Sequence, residues 1–73
     1  MFLYDLKEGQ SAELKALLFD KKLSERLRDM GFCEGERVTC IKRAAFKSPV
    51  LYRVKGSLVA LRKTEAQRIE AVL

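Results

Sequence analysis

The spacing of apolar side chains changes period twice along these 73 residues. From Gln10 to Leu18 it alternates, with Ala12, Leu14, Ala16 and Leu18 on one side, which predicts a strand with one buried face. Leu6-Lys7-Glu8-Gly9 forms the lead-in to that strand and ends in a turn. From Leu23 the period lengthens: Leu23, Leu27 and Met30 fall at i, i+4 and i+7, one stripe of a helix, with Ser24, Glu25, Arg26 and Arg28 turned outward. Gly31 stands where a helix commonly stops in a left-handed residue, and Phe32 is placed to fold back on Leu27. The alternation returns after a turn at Glu34-Gly35, with Val38 and Cys40 inward and Arg37 and Thr39 outward.

Pro49 lacks a backbone donor and breaks the ladder, after which Val50, Tyr52 and Val54 alternate with Leu51, Arg53 and Lys55. A turn at Lys55-Gly56-Ser57 leads to Leu58–Leu61, apolar on both sides, which places that strand near the centre of the sheet. Thr64-Glu65-Ala66-Gln67 fits a capping box opening one helical turn, with Ala66 and Ile69 inward. Ala71-Val72-Leu73 then returns to lie beside the first strand. The expected fold is mostly β: a small, strongly bent antiparallel sheet, partly closed into a barrel, with one inserted α-helix and a short C-terminal helical turn. Residues 1–73 are expected to form one domain, whose stability at this size is about 3–5 kcal/mol.

Charge divides the chain. Residues 1–36 carry six basic and eight acidic side chains, residues 37–73 nine basic and two acidic. From Arg37 to Lys63 there are eight Lys or Arg residues and no Asp or Glu. Such a field suits an acidic protein surface, a nucleic-acid backbone or anionic lipid headgroups. The longest apolar runs are four residues, too short for a membrane span, and no basic residue precedes a stretch of signal-peptide length, so a cytoplasmic protein is expected.

Candidate chemistry is sparse. There is no His, and Cys33 and Cys40 are seven apart, which matches neither a zinc site nor a redox dithiol; two small apolar residues in a reducing compartment are expected, with a disulfide as the alternative. No nucleophile and base pair up, so no enzyme, catalytic residue, resident metal or cofactor is expected. Glu34 and Glu36 flank Gly35 as two solubilising carboxylates or, alternatively, a cation site. Arg28 is either a solvated partner of Glu25 or an arginine finger toward a partner's nucleotide. The stronger constellation is Arg43, Phe46, Lys47, Arg53 and Lys55 around the Pro49 loop. It reads as an electropositive docking edge with Phe46 as apolar anchor, or as charges that blunt a sheet edge.

The run Leu27-Arg28-Asp29-Met30-Gly31-Phe32, then Gly35, Arg43-Ala44, Pro49, Leu58-Val59-Ala60-Leu61-Arg62-Lys63 and Glu65-Ala66, after the opening Leu6-x-x-Gly9, resembles the FeoA family of bacterial ferrous iron uptake proteins along nearly the whole chain. Two positions depart from the family's pattern: Ala45, where Pro is common, and Lys47-Ser48 in place of a Gly-containing pair. The resemblance implies an SH3-like small barrel working beside the membrane permease FeoB and its cytosolic GTPase portion, and does not imply iron ligation. Three functions follow: a non-enzymatic adaptor that binds the cytosolic part of such a permease, a nucleic-acid-binding barrel in which Tyr52 and Phe46 stack bases, or a metal-sensing regulatory module. The adaptor is the expected one, with no small-molecule substrate, membrane contact only through the partner, and a barrel edge open enough for weak self-association.

Overall fold

The computed structural model describes residues 1–43 and 49–73. A single turn of 3-10 helix at Leu3–Asp5 leads into β1 (Ser11–Leu17), α1 (Lys21–Asp29), β2 (Arg37–Arg43), β3 (Val50–Val54), β4 (Ser57–Leu61), α2 (Lys63–Ala66) and β5 (Ile69–Val72). The strands form one antiparallel sheet in the order β4-β3-β2-β1-β5, so the last strand closes beside the first, as its apolar ending suggests. Ala12 and Leu14 of β1, Val38 and Cys40 of β2, and Val50, Tyr52 and Val54 of β3 all turn their side chains into one core.

Two bulges decide which residues reach that core. In β1 the register slips between Leu14 and Ala16, so that Leu14 opposes Ala71 but Leu17 opposes Ile69. The extra residue reverses the parity: Leu17 packs against the core, and Leu18, expected inside, is 49% exposed. In β2 the slip lies between Cys40 and Lys42, bringing Lys42 opposite Leu51 and Arg43 opposite the buried Val50. Strict alternation would have put Arg43 outward.

Asp20 caps α1 by accepting a hydrogen bond from the Leu23 amide at 2.9 Å. Helical periodicity puts Ser24, Leu27 and Gly31 on the inner line, with Leu23 beside it and Met30 a further step round. Met30 is therefore exposed, and Ser24, expected outside, is buried with its hydroxyl donating to the Phe19 carbonyl at 3.3 Å. The helix stops as its glycine implies: Gly31 has φ +107°, its amide donates to Arg28, and the Phe32 amide donates to Leu27, each at 2.9 Å.

The position of β4 differs from expectation. It is an edge strand, with Leu58 and Ala60 exposed and only Leu61 fully inside. A run that is apolar on both sides fits equally a central strand and an edge whose outer face carries Leu and Ala. The last helical turn starts earlier than Thr64: the Arg62 amide donates to Glu65 Oε1 at 2.8 Å, because buried Leu61 fixes where the chain leaves the sheet. Ile69 is buried as expected, but from β5.

Candidate docking surface

The bulge in β2 turns Arg43 inward at the end of the sheet. Its guanidinium donates through one nitrogen to the carbonyls of Tyr4 and of Leu6, the latter at 2.8 Å, and lies over the Tyr4 ring 4.5 Å from its centre. Its amide donates to Glu8 Oε2 at 2.7 Å. Tyr52 works nearby from the core: its hydroxyl donates to the Leu3 carbonyl at 3.0 Å, and burial pushes its ionisation far above the ordinary phenol range. Both side chains therefore strap the N-terminal segment across the sheet. Tyr52 is fully enclosed and offers no face for a stacked base.

Lys55 is exposed but engaged, with its Nζ 3.6 Å from Glu36 Oε1. It takes φ +50° and Gly56 φ +77°, the paired positive values that a two-residue β3–β4 hairpin requires. Arg28 points to Glu34 rather than Glu25, in a two-pronged pair at 3.2 and 2.9 Å. That guanidinium holds the Glu34 carboxyl down at about 2. Glu34 and Glu36 are thus each matched to a separate cation, and the described residues hold no cluster of three or more His, Cys, Asp or Glu side chains suited to a metal. Cys33 and Cys40 are free thiols, Cys40 buried and Cys33 donating its S–H to the Arg28 carbonyl at 3.5 Å.

Arg53 remains on the outer face of the sheet, exposed and without an ion-pair partner among the described residues. The register places it between Thr39 on β2 and Leu58 on β4, in a row that continues to Ser11 on β1. A second row on the same face runs Lys42, Leu51, Ala60. Leu58 is 55% exposed, and Arg62 projects just past the end of β4. Of the five residues expected to form the docking edge, Arg53 and Lys55 lie on the exposed surface, Arg43 is folded inward, and Phe46 and Lys47 lie outside the described residues, as do Ala45 and the Lys47-Ser48 turn. Lys42 and Leu58 escaped the sequence reading: Lys42 reaches this face only through the bulge, and Leu58 through the edge position of its strand.

No helix among the described residues is long and apolar enough to cross a membrane. The FeoA domain family matches residues 1–73. A fusion of Fe(2+) transport protein A with the Fe(2+) transporter FeoB, from Porphyromonas gingivalis, is 32% identical across all of this chain, which spans 9% of that protein. A putative Fe(2+) transport protein A from Campylobacter jejuni is 33% identical, covering 100% of this chain and 99% of its own length. Among solved structures, FeoA of Stenotrophomonas maltophilia complexed with zinc, described as a prokaryotic SH3 domain protein, superposes with a TM-score of 0.83 at 31% identity, over 97% of this chain and 88% of that one. With its five-stranded antiparallel sheet and a match along its whole length, the chain belongs to the FeoA family.

Proposed function

We propose that this chain is a cytoplasmic, non-enzymatic accessory of ferrous iron uptake that docks on the cytosolic GTPase portion of a FeoB-type permease, for which iron is cargo. The observation that carries the reading is the outer face of β2, β3 and β4, where Arg53 stands beside exposed Leu58 and Lys42 lies on the same face in the next row, on a segment without acidic residues. Such a face favours an acidic protein surface, steering its approach by charge and holding it by apolar contact at the centre. The Porphyromonas gingivalis relative supports the choice of partner, because there the two proteins form one chain.

Titrating the intact chain with the purified cytosolic domain of a FeoB-type permease tests this. Saturable binding that weakens as salt rises from about 0.05 M to about 0.5 M is expected, since exposed charges are screened over that range. Binding that is absent at low salt, or indifferent to salt, would overturn it.

A further inference from the structure

The two ends of the sheet are treated differently. At the β5 end the N-terminal segment covers the edge: the Ala71 amide donates to the Met1 carbonyl at 2.7 Å, and Phe2 bridges to Glu70. At the β4 end, no described backbone hydrogen bond outside the β3 ladder reaches Ser57–Leu61. Nor does β4 carry any of the devices that usually guard an edge. It has no charged residue and no proline, and its pairing with β3 runs without a bulge from Val54–Ser57 to Val50–Leu61.

In an antiparallel ladder closed by a two-residue turn, the pair flanking the turn exchanges both hydrogen bonds, and pairs then alternate. Ser57, Val59 and Leu61 therefore spend their N–H and C=O groups on β3, while those of Leu58 and Ala60 point to the open side. The same two residues have exposed side chains on the outer face. Beyond the strand lies Arg62, and one strand inward Arg53 stands opposite Leu58.

We infer that the β4 edge takes up an extended, acid-bearing segment of a partner protein as a sixth strand. Main-chain groups of Leu58 and Ala60 form the ladder, the segment's apolar side chains cover Leu58, and its carboxylates meet Arg53 and Arg62. Charge selects this occupant over a second copy of the chain, which carries net +5 and would bring the same two guanidinium groups against their counterparts. The inference deepens the docking reading above by naming the mode of contact, and it rests on that reading for the partner's identity.

Amide exchange measured by NMR tests it without any permease, using a blocked seven-residue peptide of alternating Glu and Val. In the dilute free chain, Leu58 and Ala60 should exchange faster than Val59 and Leu61; equal protection would mean that the edge is already covered, and would overturn the inference. At about nine-tenths occupancy the peptide should slow exchange at Leu58 and Ala60 about tenfold. The Lys/Val counterpart, and the Glu/Val peptide with N-methylated amides, should leave these amides unchanged. No slowing, slowing only elsewhere, equal effect from either control peptide, or protection that grows with the chain's own concentration in the absence of peptide would each overturn it. The permease-domain titration reads the docking reading separately. Docking that leaves Leu58 and Ala60 exchanging freely refutes strand addition alone, and peptide capture without docking refutes the choice of partner alone.

Discussion

Arg43→Met separates a clamp from a contact. The substitution keeps most of the side-chain stem and removes the guanidinium, so the carbonyls of Tyr4 and Leu6 lose the only donor the described residues give them, and Tyr4 loses the nearer of two cations over its ring while Lys63 Nζ stays 5.4 Å from its centre. Hydrogen bonds to a charged donor contribute about 1.5–3 kcal/mol each, and a partly exposed cation over an aromatic ring about 0.5–1 kcal/mol. Arg43 is half-buried and water can take the place of the guanidinium at the vacated carbonyls, so the net loss falls below the low-end sum of about 3.5 kcal/mol, and about 2–3 kcal/mol is expected. For a domain of this length the unfolding entropy is about 0.15 kcal/mol/K, so Tm should fall by about 13–20 °C. Urea and thermal unfolding followed by circular dichroism, with Arg53→Met as the exposed control, measure the difference. Arg53→Met should stay within about 0.5 kcal/mol of the parent. Arg43→Lys, which keeps the charge but has a shorter reach to the two carbonyls and no flat face to lay over Tyr4, should recover less than half of the loss. If Arg43→Met is no more destabilised than Arg53→Met, Arg43 is a surface cation and the inward clamp is refuted.

Three further outcomes follow from single contacts. Tyr52→Phe removes a buried hydroxyl, but the Leu3 carbonyl keeps the Leu6 amide at 3.1 Å, so the cost in urea unfolding should be about 1 kcal/mol, not the larger penalty of an orphaned acceptor. Gly31→Ala adds a Cβ that would meet Val54 only at ordinary contact, 3.5 Å, so its cost comes from φ +107° and should be about 1–2 kcal/mol in the same assay. Glu34 has a carboxyl held down from 4.5 to about 2 by Arg28, so its contribution is fully present above pH 4.5 and lost as pH falls toward 2; Glu34→Gln should flatten the fall of Tm across that window while leaving the neutral-pH slope unchanged.

The sequence shows most clearly what local chemistry dictates. Gly31 stops the helix, Pro49 precedes a new strand, and Lys55-Gly56 closes the β3–β4 hairpin, because each needs a backbone geometry that few residues supply. Alternation identified the inward residues of β3 without error, since no bulge interrupts its pairing with β4. Where the register slips, parity arguments fail: strict alternation puts Leu18 inward and Arg43 outward, and each lies on the opposite side, because an unpaired residue leaves no compositional mark at Lys15 or Ile41. The edge position of β4 was hidden for a different reason. Neighbour count is a property of topology, and Leu-Val-Ala-Leu reads alike at the centre of a sheet and at its border. The candidate site was legible as a basic segment, but which cations face outward depended on long-range partners: the carbonyls of Tyr4 and Leu6 for Arg43, and Glu36 for Lys55.

The affinity of Arg53→Glu for the cytosolic domain of a FeoB-type permease, measured at low salt on protein shown to be folded, tests the docking face most directly. One unit charge at about 6 Å in water is worth about 0.7 kcal/mol, so reversing it changes the balance by about 1.4 kcal/mol and should weaken binding about tenfold. An affinity equal to that of the parent chain would contradict the assignment of the outer face of β2, β3 and β4 as the contact.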